Sequence, residues 1–224
     1  FYSPAAFEAA LRYLPLGGLM AGLVSAAAYL LAIEVWPAPL AALLAVTARS
    51  APTGALPADG FADFSAALGG STKEARLAIM KDSRIGTYGT LALAIGLAVK
   101  VLSLCSLGEF AAAAAIVAAN AGGRLAAVLT IWTLPYAGSA ATAKIARAVR
   151  PASSLSLSVA VVIGIAPALV LTLAGLSAFL AGLAGAAGMA LLARRLLGGY
   201  TGDILGAVEQ SFEIAFLLFA GALA

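Results

Sequence analysis

The sequence predicts an all-α fold, a polytopic integral membrane bundle of six to seven transmembrane helices. Of its 224 residues, 63% are hydrophobic and only 10% are charged, whereas a soluble domain carries roughly 25% charged residues. Several apolar stretches also reach the roughly 20 residues that a helix needs to cross the hydrocarbon core of a bilayer. Alanine, glycine and leucine dominate, and small residues of this kind allow transmembrane helices to pack closely.

Seven apolar segments are candidate transmembrane helices within one predicted domain, residues 1–224. They are residues 16–35, 40–56, 88–107, 110–135, 155–174, 176–193 and 207–224. The second segment is the weakest, because Arg49 and Pro52 interrupt it. The fifth and sixth are expected to form a hairpin around Gly175. Between the second and third, Ser71 and Glu74 fit a capping box, which predicts a short surface helix that starts at Ser71.

The distribution of positive charge predicts the orientation of the bundle. With seven crossings, the polar loops at 57–87, 138–154 and 194–206 lie on the same side as the N-terminus, and the opposite side has only short turns. These loops carry Lys73, Arg76, Lys81, Arg84, Lys144, Arg147, Arg150, Arg194 and Arg195. Since cytoplasmic loops of membrane proteins are enriched in Lys and Arg, we expect an inner-membrane protein whose polar loops face the cytoplasm.

The composition excludes several classes of chemistry. The chain has no histidine and a single cysteine, Cys105, which excludes Ser-His-Asp triads, haem ligation by histidine and most zinc sites. The net charge of +3 is too small to indicate a nucleic-acid partner. Phe1 already lies within the apolar pattern, so we expect that a native segment precedes it.

Two aspartates in "DGFADFSAALGG" indicate a metal site. Asp59 and Asp63 are four residues apart and project from one helical face, with about 5–6 Å between their Cβ atoms. No Lys or Arg lies among residues 59–70, and charge at a bilayer boundary is costly unless it is paired or functional. Because Mg²⁺ is typically held by one or two carboxylates together with substrate phosphates, the pair predicts a magnesium site.

The following motif, "IMKDSRIGTYG", adds groups that suit phosphate chemistry. Arg84 can hold a phosphate through two hydrogen bonds, and Lys81 offers a point charge. Asp82 is a third acid, and Gly86 either lets a ligand approach the backbone or only starts the next helix. Together with the aspartate pair, these residues indicate metal-assisted phosphoryl transfer. An ion-coupled transporter is the alternative, because such carriers also bury carboxylates.

Further polar residues lie at or within the apolar segments. In "RRLLGGYTGDILGA", Asp203 follows three glycines and Tyr200, and with seven crossings it lies on the same side as Asp59. No capping or packing role for Asp203 is evident from the sequence. Lys100, Asn120 and Arg124 fall inside predicted transmembrane helices, where a cation is expected to be paired or functional.

Three stretches, "TGALPADGFADF", "EARLAIMKDSRIGTYG" and "GGYTGDILGA", resemble the cobalamin synthase family, the adenosylcobinamide-GDP ribazoletransferases. The resemblance runs from "RYLPLGGLMAGL" to "YTGDILGAVEQ" and so covers nearly the whole chain. It implies a Mg²⁺-dependent enzyme of the cytoplasmic membrane. The 5′ hydroxyl of α-ribazole, or of its phosphate, would attack the cobinamide-linked phosphorus of adenosylcobinamide-GDP and release GMP.

The resemblance and the patterns above together assign candidate roles. The implied partners are adenosylcobinamide-GDP, α-ribazole and membrane lipid, with no nucleic acid, and self-association of the chain is left open. The candidate residues are Asp59 and Asp63 for Mg²⁺, Lys81, Asp82 and Arg84 for catalysis, and Gly86, Arg124, Tyr200 and Asp203 for substrate binding.

The chain departs from the family pattern at three positions. Pro57 stands where the family has a histidine, Ala66 where it has a third acid, and Ala67 where a glycine follows that acid. A third acid would extend the helical face of Asp59 and Asp63, so its loss removes one potential metal ligand. A catalytically degenerate corrinoid-binding homologue is therefore an alternative. A CDP-alcohol-type lipid phosphotransferase fits less well, since its full motif is lacking.

Overall fold

The computed structural model describes residues 9–138 and 153–224, which form helices joined by short connections. Within these ranges the only β-type pairing is an isolated bridge between Tyr136 and Tyr200. The helices are α1 (Leu14–Ile33), α2 (Ala38–Ala48), α3 (Ser50–Thr53), α4 (Leu56–Ala67), α5 (Lys73–Ile79), α6 (Thr87–Cys105), α7 (Glu109–Thr133), α8 (Ser154–Ile165), a 3₁₀ segment (Ala166–Leu171), α9 (Thr172–Leu197) and α10 (Gly202–Ala222). The predicted all-α class is confirmed.

Five of the described helical segments are long and apolar enough to cross a membrane. They are Leu14–Ile33, Thr87–Cys105, Glu109–Thr133, Ser154–Leu197 and Gly202–Ala222. The segment Ser154–Leu197 contains α8, the 3₁₀ segment and α9. A membrane bundle is therefore confirmed, while the number of crossings and their orientation remain predictions. The predicted cations Lys144, Arg147 and Arg150 lie outside the described residues.

The second predicted transmembrane helix is not continuous. Helix α2 ends at Ala48, and after eleven residues it is only about 16 Å long, against a hydrocarbon core of roughly 30 Å. The backbone then breaks at Gly54 and Ala55, which have positive φ angles of 60° and 58°. Helix α4 starts directly after this break, with Pro57 in its first turn. The segment at 38–67 is thus three helical pieces.

The turn predicted at Gly175 lies earlier in the chain, and α8 is not among the helices that pack against α9. Helix α8 ends at Ile165, and the chain turns through the 3₁₀ segment, which contains Pro167, and through Thr172 at a φ of 57°. Proline has no backbone N–H and clashes with the preceding turn of a helix, so the helix breaks there. Gly175 instead lies in the first turn of α9, where a Cβ atom would come within 2.0 Å of the carbonyl oxygen of Ala168.

Two helix starts differ from the predicted ones. The cap of α5 is Thr72 rather than Ser71, because the Thr72 hydroxyl accepts a hydrogen bond from the Ala75 N–H at 3.1 Å. Helix α10 starts at Gly202, where the Thr201 hydroxyl accepts from the Ile204 N–H at 3.4 Å. Asp203 therefore lies in the first turn of α10, where a negative charge is favourable near the helix N-terminus. The cap itself is Thr201, so the role of Asp203 at this helix start is electrostatic.

Helix α10 is at the centre of the bundle and packs against α4, α6, α7 and α9. The broken segment runs antiparallel to it. Gly60 lies against the backbone of Asp203, Pro57 lies against Gly206, and Arg49 pairs with Glu213 further along α10. This close alignment positions the acidic end of α4 beside the first turn of α10.

Candidate active site

Asp59 and Asp63 on α4 and Asp203 on α10 form an acidic cluster. The two helices approach each other closely, because a Cβ atom on Gly60 would lie 2.4 Å from the carbonyl oxygen of Asp203 and 2.8 Å from its Cα atom. Only glycine permits this approach of the backbones. The contact brings together two sequence motifs that are about 140 residues apart in the chain.

The carboxylates of this cluster interact unfavourably with one another. Burial, and next the negative charges of Asp59 and Asp203, raise the pKa of Asp63 to about 6. Asp63 is half-buried while Asp59 is exposed. Each charge that acts on Asp63 is another carboxylate, so the cluster is suited to binding a cation.

The cluster does not form a complete metal cage. Among residues 9–138 and 153–224, no three His, Cys, Asp or Glu side chains are grouped so that they could hold a metal ion by themselves. A site with one or two protein carboxylates suits Mg²⁺, which usually keeps several waters and takes its other ligands from substrate phosphates. The donor set therefore fits a magnesium ion that is shared with a substrate.

Asp82 and Arg84 pair with each other in the loop between α5 and α6. Arg84 donates to Asp82 from Nη2 at 2.6 Å, and from Nε and the backbone N–H at 3.0 Å each. Hydrogen bonds from the Arg84 side chain and then from its backbone lower the pKa of Asp82 to about 2. The Arg84 side chain is 88% exposed. Lys81 is also exposed and makes no hydrogen bond or ion pair with the described residues, so its ammonium group is free to meet an anion. Arg84 still offers Nη1, which makes no hydrogen bond with the described residues.

This loop returns to the C-terminal half of α4. A Cβ atom on Gly86 would lie 3.9 Å from the Cβ of Ala66, and one on Gly69 would lie 3.7 Å from the Tyr88 ring. Ala66, where the family pattern has its third acid, therefore faces the end of the loop that carries Arg84. None of the ion pairs in the described part of the chain joins the Asp82–Arg84 pair to the acidic cluster.

Tyr200 is buried and fixes the start of α10. Its backbone N–H donates to the Pro135 carbonyl at 2.9 Å, and its carbonyl accepts from the Ala137 N–H at 2.8 Å. Its ring meets the Tyr136 ring edge to face, with 5.4 Å between centroids. Burial, with a smaller effect of Tyr136, raises the pKa of the Tyr200 hydroxyl. These contacts join the end of α7 to the turn before Asp203, and a substrate contact by Tyr200 stays a prediction.

A buried ionic network lies deeper in the bundle, centred on Glu213 of α10. Arg49 donates through Nη1 to both carboxylate oxygens of Glu213. Lys100 donates to Glu213 at 2.5 Å and to the Gln210 side-chain oxygen at 2.7 Å. Asn120 accepts from Arg49 at 3.4 Å. All five side chains are buried, so each charge depends on its partners within the protein.

Arg124, predicted to bind substrate, pairs with Glu209 at 3.2 Å. Cations within the membrane were expected to be paired or functional. Lys100 and Arg124 are both paired. Four members of the network were not predicted from the sequence, namely Arg49, Glu209, Gln210 and Glu213. A signal was present, because Glu209 and Glu213 are four residues apart in an apolar segment and so share one face that needs cations.

Comparison with known proteins gives a consistent family assignment. The family model described as cobalamin-5-phosphate synthase matches residues 1–221. Relatives named adenosylcobinamide-GDP ribazoletransferase include that of Leptothrix cholodnii, 38% identical over 97% of this chain and 86% of the relative. Those of Bradyrhizobium diazoefficiens and Rhizobium etli are each 40% identical, over 93% and 92% of this chain and 81% and 83% of the relatives. No solved structure matches the chain.

Proposed function

Because the chain belongs to the cobalamin-5-phosphate synthase family, we propose that it transfers adenosylcobinamide phosphate from adenosylcobinamide-GDP to α-ribazole or to α-ribazole 5′-phosphate. The products are GMP and adenosylcobalamin or its phosphate. The observation that carries the proposal is the acidic cluster of Asp59, Asp63 and Asp203, whose mutual repulsion favours a bound cation. Two exposed cations, Lys81 and Arg84, lie in the loop between α5 and α6, which returns to the C-terminal half of α4.

The reaction is a displacement at phosphorus. The 5′ hydroxyl oxygen of the acceptor forms a bond to the cobinamide-linked phosphorus, and the bond from that phosphorus to the bridging oxygen breaks. The bridging oxygen leaves with GMP, and the hydroxyl proton passes to a base. Positioning and electrostatic stabilisation supply most of the catalysis in phosphoryl transfer.

Asp59 and Asp63 would hold the magnesium ion, with Asp203 beside them. When bound, the ion neutralises the diphosphate charge that develops as the leaving group departs. The close packing of Gly60 on the Asp203 backbone holds α4 against the first turn of α10. Even without the third acid of the family pattern at Ala66, Asp59 and Asp63 remain, and Mg²⁺ needs only one or two protein carboxylates when substrate phosphates supply other ligands.

Lys81 and Arg84 would bind the diphosphate oxygens. Arg84 is oriented by Asp82, which accepts three hydrogen bonds from it within 3.0 Å. A carboxylate with a pKa of about 2 is a weak proton acceptor. We therefore assign Asp82 to holding the guanidinium in position rather than to deprotonating the acceptor. The polar loops carry an excess of Lys and Arg, which favours an inner-membrane protein whose site opens to the cytoplasm.

Activity of the purified protein tests this proposal. Protein in neutral detergent is incubated with adenosylcobinamide-GDP and α-ribazole, and the joined corrinoid is quantified by chromatography as Mg²⁺ is titrated. Asp63→Asn and Asp82→Asn should each lower the rate by about 10²-fold or more, and chelation of the metal should abolish it. Glu74→Gln is the matched control, because Glu74 is an exposed acid on α5 outside the cluster.

Two outcomes would contradict the proposal. Product formation at the wild-type rate in both aspartate variants would refute the site assignment. Calorimetric binding of adenosylcobinamide-GDP that does not depend on Mg²⁺, without any product, would instead favour a degenerate corrinoid-binding homologue, to which the replacements at Pro57 and Ala66 point.

A further inference from the structure

A cavity of about 220 Å³ lies beside the break in the second helix. Its walls come from α2 and α3, α4, α6 and α10. One end carries the buried side chains of Arg49, Lys100 and Gln210, and the rest is mainly apolar, with Phe61 and Leu97 among the lining residues. It is separate from the acidic cluster, none of whose aspartates lines it.

The cationic end of this cavity has hydrogen-bond donors to spare. Within the described residues, Arg49 uses only Nη1 for its bonds to Glu213 and Asn120, and its Nε and Nη2 make no hydrogen bond. In the described residues, only one buried side-chain nitrogen or oxygen lacks a hydrogen-bond partner, and it is Nε of Arg76. The Nε and Nη2 atoms of Arg49 are therefore not fully enclosed by protein. The Lys100 ammonium has three N–H donors and uses two, on Gln210 and Glu213.

The charges around the cavity do not balance. Among residues 9–138 and 153–224, Arg49 and Lys100 share one carboxylate, Glu213, while Glu209 pairs with Arg124. This leaves one net positive charge. Lys100 is thirteen residues beyond Thr87, the first residue of α6, which corresponds to about 20 Å along the helix. An unbalanced charge so far into an apolar helix is costly, and one monoanion would balance it.

The backbone around the cavity is irregular as well. Ser50 and Ala58 line it on either side of the break at Gly54 and Ala55. Ala55 is a non-glycine residue with a φ of 58°, and such strained residues cluster at binding and active sites. Helices broken within a membrane occur where the freed backbone lines a cavity or a binding site.

We propose that this cavity binds a phosphodiester monoanion that carries apolar substituents. The free edge of the Arg49 guanidinium presents two parallel N–H donors to the phosphate oxygens, Lys100 adds its third N–H, and the substituents pack against Phe61 and Leu97. The monoanion matches the single excess charge. The ligand is either a membrane phospholipid or a water-soluble phosphodiester, and the inference does not depend on the transferase activity.

Calorimetry on the whole chain in dodecyl maltoside tests the proposal, with dihexanoyl phosphatidylglycerol as the lipid probe and diethyl phosphate as the soluble one. Arg49→Lys keeps the charge that faces Glu213 but removes the spare donors of the guanidinium. We expect it to weaken binding roughly tenfold or more. Arg12→Lys is the matched control, because Arg12 donates to Ser156 and does not line the cavity.

A second variant guards against misfolding. Leu97→Trp fills the apolar part of the cavity and leaves every ion pair in place, so it should abolish binding while its helical circular dichroism stays that of the wild type. If Arg49→Lys does not fold, the loss of binding in folded Leu97→Trp alone tests the proposal.

The two probes separate the sources of the ligand. Binding of the lipid alone assigns the cavity to a membrane phospholipid, and binding of diethyl phosphate assigns it to phosphodiesters from solution. Absence of binding by both probes to the wild type, or wild-type affinity in the folded Arg49→Lys or Leu97→Trp protein, overturns the proposal.

Discussion

Glu213 is the residue whose loss should destabilise the bundle most directly. It is 4% exposed, and its carboxylate is shared by Arg49 and Lys100, which are 8% and 3% exposed. Glu213→Gln keeps the size of the side chain but leaves both cations without a carboxylate. Breaking a buried ion pair by removing one partner costs about 3–5 kcal/mol. For a chain of this length, that loss lowers the melting temperature by on the order of 10 °C.

Thermal unfolding in detergent, followed by circular dichroism at 222 nm, measures this loss. Glu209→Gln is the matched control, because its ion-pair partner in the described part of the chain, Arg124, has a side chain that is 23% exposed and can turn its charge towards water. We expect that control to lose only about 1–2 kcal/mol. Adding Lys100→Met to Glu213→Gln should recover part of the stability, because one stranded cation is then gone.

Two results would contradict a stabilising role of Glu213 in the ionic network. One is a melting temperature of Glu213→Gln within about 2 °C of the wild type. The other is an equal loss in Glu213→Gln and Glu209→Gln, since the two carboxylates differ in the number of buried cations that depend on them.

Three further predictions concern α4 and α10. Gly60→Ala should cost about 1–3 kcal/mol of stability and reduce activity, because its Cβ would meet the Asp203 carbonyl. Gly17→Ala, with no atom within 4 Å of its Cβ, should be tolerated. An unchanged melting temperature of the Gly60 variant would disprove the close crossing. The raised pKa of Asp63 adds stability that is fully present below pH 3.8 and is lost as the pH rises through about 6. Without divalent cations, the melting temperature of the wild type should therefore fall over this range, and Asp63→Asn should flatten that fall; equal slopes would contradict it. Thr201→Ala removes the cap of α10 and should cost about 1 kcal/mol in the same melting assay, while no loss would show that the cap is redundant.

The acidic motif shows how far local sequence reasoning reaches. The spacing of Asp59 and Asp63 predicts one helical face, and both residues lie on α4. Their meeting with Asp203 depends on the crossing at Gly60, which no local pattern encodes, because the two segments are far apart in the chain. The pairing of Asp82 with Arg84 is local, and it shows that an acid inside a phosphate-binding motif can serve to orient the neighbouring cation.

The broken helix shows where hydropathy fails. Residues 40–56 are apolar enough to suggest a span, and Arg49 and Pro52 hint at an interruption. Hydropathy does not report the left-handed backbone at Ala55, because alanine has no intrinsic preference for that conformation. Helix α4 packs along α10 and Arg49 is held by Glu213, so the position of the break depends on contacts with a distant segment of the chain.

The sequence by itself determined the class of this protein. Its few charges require a membrane environment, its apolar segments set the long helices, and its motifs point to one family, because each of these properties is local or additive along the chain. Only the tertiary structure decided which polar residues become partners. Arg49, Lys100 and Glu213 come from three separate segments, and a buried charge is stabilised by whichever opposite charge the packing of the helices brings within reach.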